Sequence, residues 1–175
     1  GLFIVNGQNQ LQLNDNITNE AYLTTRSRAI IDAQWEFYVK MDFDPSGSNY
    51  CRVYLISDSP DLLQNLNGYF VRVGGFSGNV DHVSLYRQTG NSSSQIIKGT
   101  DGTVTTTPEL KIRVTRDNAG EWELEIDTAL SGNYTSQGTA VDNNHLTAEY
   151  FGVRCTYTST RANLIYFDDF NVTGT

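Results

Sequence analysis

Four acids stand at alternate positions in the heptapeptide EWELEID: Glu121, Glu123, Glu125 and Asp127. On an extended chain, residues two apart leave one face about 6.5 to 7 Å from each other. Carboxyl groups about 5 to 5.5 Å apart are what a retaining glycosidase uses as nucleophile and acid. Glu123 and Glu125 are therefore a candidate catalytic pair. A simpler requirement accounts for the same residues. Trp122, Leu124 and Ile126 alternate with them as an apolar set, so the acids fall where a strand with one wet face puts them. The segment ELKIRVTRD, one tight turn upstream, offers Lys111 and Arg113, and opposite charges across paired strands contribute roughly 0.2 to 1 kcal/mol each. Such a ladder explains the acids without catalysis.

A second set of residues suits binding. Arg52 and Tyr54 alternate with Cys51, Val53 and Leu55; Arg72 stands between Val71 and Val73; Ser84 and Tyr86 alternate with Val83 and Leu85; Tyr38 stands between Phe37 and Val39. An aromatic ring stacks on the apolar face of a sugar. A guanidinium fork gives paired hydrogen bonds to hydroxyls or to a uronic carboxylate. Arg52, Tyr54, Arg72, Tyr86 and Tyr38 are accordingly candidate carbohydrate-binding residues. Tyrosine and arginine are also ordinary residents of an exposed sheet, their stems packed over apolar neighbours. The loops NYTSQG, GFSGNVDH and YTSTRAN offer an alternative site at a rim, and the sequence leaves both placements open.

Period two is the dominant signal along the chain, and it predicts strands. Trp35, Phe37, Val39, Met41 and Phe43 form the clearest apolar set. Further strands are expected at 49–57, 68–75, 82–88, 109–117, 121–127, 150–158 and 164–172, with weaker ones in LFIV and LQLND. DPSGSN, NLNG, GFSGNVD, QTGNSSS, DNAG and NNH carry the residues of tight reversals. DLLQNL, residues 61 to 66, is the best short helical candidate. Short strands punctuated by turns predict an all-β antiparallel sandwich of two sheets. Residues 1 to 175 are read as one domain, and the abrupt ends suggest a module excised from a larger multi-domain protein.

Twelve basic against twenty acidic residues give a net charge of -8, which repels nucleic acid phosphates and anionic bilayers. No apolar run is long enough for a membrane-spanning helix. His82 and His145 have no metal-ligand spacing, and two cysteines are too few for a disulfide scaffold or a zinc site. Cys51 and Cys155 both fall in core-facing phase, which suits one bridge or two buried thiols equally.

The strand–turn–strand KIRVTRDNAGEWELEID, preceded by GYFVRVGG and VSLYRQ and followed by YFGVRCTYTSTRANLIYFDDFNV, resembles the concanavalin A-like lectin/glucanase superfamily. More narrowly, it is similar to laminin G-like jelly-roll modules of secreted or surface-attached bacterial proteins. The resemblance implies a jelly-roll fold and a polysaccharide or glycan partner. It also implies a structural calcium ion held by an aspartate of FDDF, Asp168 or Asp169, with oxygens from the N-terminal segment around Asp15. In glucanases of the superfamily the acids run Glu, Asp, Glu, whereas here the aspartate comes last. The function expected is a non-catalytic carbohydrate-binding module of a secreted or surface protein. The alternatives are an accessory contact module without a sugar site and a glycoside hydrolase using Glu123 and Glu125.

Overall fold

Segments with an alternating apolar set form strands. The computed structural model describes residues 1–78 and 80–175; Asn79, inside GFSGNVDH, lies outside the described residues. Thirteen strands follow among the described residues: β1 (Phe3–Val5), β2 (Leu11–Leu13), β3 (Asn19–Arg26), β4 (Ala33–Met41), β5 (Tyr50–Ser57), β6 (Leu66–Val73), β7 (Val83–Gly90), β8 (Ser92–Lys98), β9 (Glu109–Arg116), β10 (Glu121–Asp127), β11 (Thr135–Val141), β12 (Tyr150–Tyr157) and β13 (Ile165–Thr173). One 3-10 turn, Ser159–Arg161, separates the last two. The strands make a seven-stranded sheet, β1-β2-β13-β4-β9-β10-β11, and a six-stranded sheet, β3-β12-β5-β6-β7-β8. This is the two-sheet antiparallel sandwich that the alternation predicts and the jelly roll that the resemblance implies.

The core lies between the sheets. Trp35, Phe37 and Val39 of β4, Ile112 and Val114 of β9 and Trp122 and Leu124 of β10 meet Val53, Tyr69, Val71, Val83 and Leu85 from the other side, all fully buried. Each such aliphatic or aromatic side chain contributes about 1.5 to 3 kcal/mol by leaving water. Trp35 and Trp122 stack at 5.7 Å with their planes 15° apart. Cys51 and Cys155 are direct partners on β5 and β12; both are free and buried.

Three strands were not expected. β3 and β8 are the edges of the six-stranded sheet and β11 is an edge of the seven-stranded one. Much of each is exposed, so serine, threonine and glutamine replace one dry face and the period disappears; NYTSQG and QTGNSSS, read as loop and turn, contribute to β11 and to β7 and β8. DLLQNL is a turn segment rather than a helix. Phe170 is 39% exposed, although its ring lies 5.5 Å from Phe151 and 6.5 Å from Phe37. A bulge between Asp168 and Asn171, with Asp169 at φ 50°, breaks the alternation there.

Candidate carbohydrate-binding face

The inward residues of β12, β5, β6 and β7, among them Val153, Cys155, Cys51, Val53, Val71, Val73 and Leu85, turn the alternate ones to the outer face of the six-stranded sheet. Register sorts those into rows. Tyr22, Arg154, Arg52, Arg72 and Ser84 are direct partners on five successive strands. One step along, Gly152, Tyr54, Phe70, Tyr86 and Gln95 form a parallel row. Arg52, Tyr54, Arg72 and Tyr86 thus share one face. Tyr38 does not: it lies on β4, outside the other sheet, where its hydroxyl donates to Glu109 Oε1 at 2.8 Å. Alternation separates inside from outside but does not say which sheet a strand joins.

The aromatic row is built in depth. Tyr54 is 0% exposed, so it supports the face instead of touching a ligand, a correction to its expected role. Its ring lies 5.0 Å from Phe70, its hydroxyl donates to Gln88 Oε1 at 2.8 Å, and Leu62 of the segment between β5 and β6 and Leu66 at the start of β6 join the two rings in one buried cluster. Phe70 in turn stacks on Tyr86 at 5.2 Å, planes 3° apart. Gln95 holds Tyr86 by donating to its hydroxyl at 3.2 Å. Tyr86 remains half-buried, with part of its ring at the surface.

The arginine row is held from the sides. The Arg72 guanidinium lies 4.3 Å from the ring centroids of both Tyr50 and Phe76 and donates to the carbonyls of Gly74 and Gly75. It thereby ties the loop that follows β6 to the sheet, and burial depresses its pKa below the ordinary value, repulsion from Arg52 adding to the effect. Arg52 lies 5.2 Å from Phe70 and 5.3 Å from Tyr50 and donates to the Tyr50 hydroxyl at 2.9 Å; its Nε is enclosed without an acceptor. Arg154, not among the sequence candidates, donates to the Leu62 carbonyl at 2.8 Å and to both Glu20 oxygens at 2.9 and 3.0 Å. Burial works against ionisation of Glu20, but the Thr156 hydroxyl and the Arg154 charge outweigh it and hold the carboxyl below its ordinary range. Among the described residues no carboxylate forms an ion pair with Arg52 or Arg72, whereas Arg154 has Glu20.

The three loops proposed as a rim leave one end of the sandwich, next to this row. There a cavity of about 350 Å³ is lined by Asp44, Pro45, Gly78, Asp81, Gly102 and Thr106 among others. The Asp81 carboxylate, 6% exposed, accepts the Phe76 N–H at 2.8 Å, and burial raises its pKa. Phe76 touches both Arg72 and His82. Shelf and rim therefore join through Arg72 and Phe76.

The acidic strand faces away from all of this, on the outside of the seven-stranded sheet. Glu123 pairs with Thr115, Glu125 with Arg113 and Asp127 with Lys111 in register. Glu125 is bound by both prongs of Arg113, at 2.7 and 2.8 Å. Asp127 is 2% exposed and accepts the N–H groups of Ala129 and Gly132, closing the turn after β10. Only Glu121 and Glu123 border an open groove, of about 530 Å³, with Gln34, Thr115 and Thr139.

Asp15, Asp168 and Asp169 do not converge. Phe167 pairs with Leu11, so Asp15 stands about five residues, roughly 16 Å, along the sheet from Asp168. Asp15 accepts the Tyr157 hydroxyl at 2.7 Å, and Asp169 pairs with Lys111 at 2.8 Å. Among the described residues no group of three or more His, Cys, Asp or Glu side chains is arranged to hold a metal ion. The expected calcium set does not fit the geometry, because β2 and β13 run past each other with the aspartates at opposite ends.

No protein-family model matches the sequence and no curated protein is similar to it. Solved structures share its fold. The exoplasmic/lumenal domain of VIP36 in its Ca2+/Man-bound form matches with TM-score 0.74 and 11% identity, over 100% of this chain and 81% of that one. A legume lectin-like domain from Entamoeba histolytica matches with TM-score 0.64 and 13% identity, over 100% and 88%. Rv0315 of Mycobacterium tuberculosis, an immunostimulatory antigen and pseudo beta-1,3-glucanase, matches with TM-score 0.58 and 12% identity, over 99% and 78%. The fold is the two-sheet jelly-roll sandwich that these solved structures share.

Proposed function

We propose that the protein is a non-catalytic, lectin-like carbohydrate-binding module that takes its glycan on the outer face of the six-stranded sheet and the adjoining rim. One observation carries the reading: the Tyr86 ring stands beside guanidinium donors that neighbouring rings and carbonyls already hold in place. Side chains fixed before binding lose little freedom on capture of a ligand. The mannose named in the VIP36 complex supports a sugar as the partner. Its exoplasmic or lumenal placement supports export of this chain. Calcium at Asp15, Asp168 and Asp169 is not part of the proposal.

A glycan panel tests it. At least one oligosaccharide is expected to bind at sub-millimolar concentration, and Tyr86→Ala is expected to weaken it by roughly two- to tenfold, the worth of one ring contact, with an unchanged melting temperature. No binder at millimolar concentration removes the reading. A second reading, an accessory contact module, is favoured by one observation: Leu23, Phe151, Val153, Phe170 and Val172 line an apolar groove of about 510 Å³ on the open side of the sandwich. The glycosidase reading is disfavoured by the double hydrogen bond that occupies Glu125. Activity on a polysaccharide that is lost in a Glu123→Gln, Glu125→Gln double variant would reinstate it.

A further inference from the structure

We infer that the glycan bound at this face is acidic, a uronate or a sulfated sugar whose oxyanion sits against Arg52. The inference rests on the carbohydrate reading of the face and adds the charge of its ligand. Three of the twelve basic residues of a chain with twenty acids occupy directly opposed positions, Arg154 to Arg52 to Arg72. Like charges so placed destabilise a sheet. Acids are plentiful in the chain, and the outer face of the other sheet uses them: Lys40, Lys111 and Arg113 each hold a carboxylate. On this face the carboxylate of Glu20 forms its ion pair with Arg154, accepts the Thr156 hydroxyl and reaches Arg52 only through its field. Arg72 is occupied by the Gly74 and Gly75 carbonyls, so it positions the rim loop and supplies field. Arg52 gives one N–H of Nη2 to Tyr50 and its Nε is enclosed, which leaves Nη1 and the second N–H of Nη2 as an end-on fork that matches a carboxylate or sulfate. The three arginines of the row offer only donors to the hydroxyls of a neutral sugar, and Ser84 is fully buried. An oxyanion at Arg52 relieves the repulsion along the row, while the sugar ring to which it is attached reaches Tyr86.

Titration calorimetry of the full chain tests this with oligomers of galacturonate, mannuronate and glucuronate, a chondroitin sulfate oligosaccharide, the methyl esters of the uronates, neutral galactan and mannan oligomers, and an oligodeoxynucleotide of matching charge. At least one acidic sugar is expected to bind roughly tenfold or more tightly than its neutral counterpart, the uronate and sulfate arms showing which oxyanion is preferred. Arg52→Gln is expected to remove that advantage, bringing the acidic sugar down to the affinity of its neutral counterpart, whereas Arg113→Gln, on the other sheet, leaves the acid preference intact. If Arg52→Gln does not fold, Arg52→Lys serves, keeping the charge but losing the fork, and is expected to lower affinity for the acid arm only. Equal affinity for acid and ester, or an acid preference indifferent to Arg52, overturns the inference while neutral binding that depends on Tyr86 leaves the proposed function standing. Preference for the oligodeoxynucleotide overturns it as well. Absence of binding to every sugar, charged or neutral, overturns both.

Discussion

The two outer faces of the sandwich are made from the same kinds of residue arranged to opposite effect. Outside the seven-stranded sheet each of three cations meets an acid: Lys40 with Asp42 at 3.0 Å, Lys111 with Asp169 at 2.8 Å and Arg113 with Glu125 at 2.7 Å. Tyr134 lies under Arg113 at 4.2 Å, and Tyr38 donates to Glu109. Outside the six-stranded sheet Arg154 has Glu20, but Arg52 and Arg72 face one another and contact rings, a hydroxyl and carbonyls. The first face satisfies its own charges and has little left for a partner. The second leaves charge and ring surface uncompensated. Whether an arginine is scaffolding or a binding group therefore depends on what register places across from it, more than on its exposure or strand.

Substitutions that break this contrast are expected to differ in size. The largest effect belongs to Tyr54→Ala, which empties the space beneath Leu62 and Phe70 and is expected to cost about 3 to 5 kcal/mol, as for other buried aromatics. Urea denaturation measures it, and a loss below about 1 kcal/mol would mean that the segment between β5 and β6 does not cover the face. Next comes Glu20→Gln, which leaves Arg154 and Thr156 one neutral amide oxygen in place of the carboxylate they share and is expected to cost about 1 to 2 kcal/mol. Its pH dependence sharpens the comparison. The Glu20 pKa in the folded protein lies below the ordinary value of 4.5, so its contribution is complete above that value and fades as pH falls through the lowered one. Urea midpoints of the wild type and the variant should therefore differ at pH 6 and converge in acid; a difference that grows in acid contradicts the pairing.

Smaller still is Arg113→Gln. Its ion pair lies on an exposed sheet, so the expected loss of stability is under about 1 kcal/mol, with no change in glycan affinity. A loss of affinity equal to that of a substitution on the six-stranded sheet would erase the distinction between the faces. Chelation by EDTA is expected to leave the melting temperature unchanged, since Asp15 and Asp169 are held by Tyr157 and Lys111. A fall of several degrees would point to a metal site that these aspartates do not form.

Much of the architecture is legible in period two. Strands β4, β5, β6, β7, β9, β10, β12 and β13 bury an alternating set against the other sheet, and burial of that set is what makes the pattern visible. β3, β8 and β11 escape because an edge strand is wetted along much of its length and has no uniform dry side. One rung of the acidic ladder is legible too, Arg113 with Glu125 across a tight turn, whereas Lys111 turns to Asp169 and Asp127 is buried in its own turn. The site is legible in phase only. Arg52, Arg72 and Tyr86 announce their outward direction, but Tyr38 gives the same local signal from the other sheet. The burial of Tyr54 depends on Leu62, eight residues away across a turn. Arg154 carried an available signal, standing between inward Val153 and Cys155, but its importance comes from β12 lying beside β5, a pairing between segments a hundred residues apart. The aspartates mislead because adjacency in FDDF says nothing about which end of β13 meets β2.

The central claim is that ligand meets this protein on the six-stranded sheet. An amide correlation spectrum titrated with the tightest-binding oligosaccharide of the panel tests it most directly. The account predicts that the shifts concentrate at Arg52, Arg72, Ser84 and Tyr86 and at the loop residues Gly74 to Phe76, with Glu123, Glu125 and Thr115 unmoved. Shifts centred on Gln34, Thr115 and Glu123, with the arginine row silent, would contradict it.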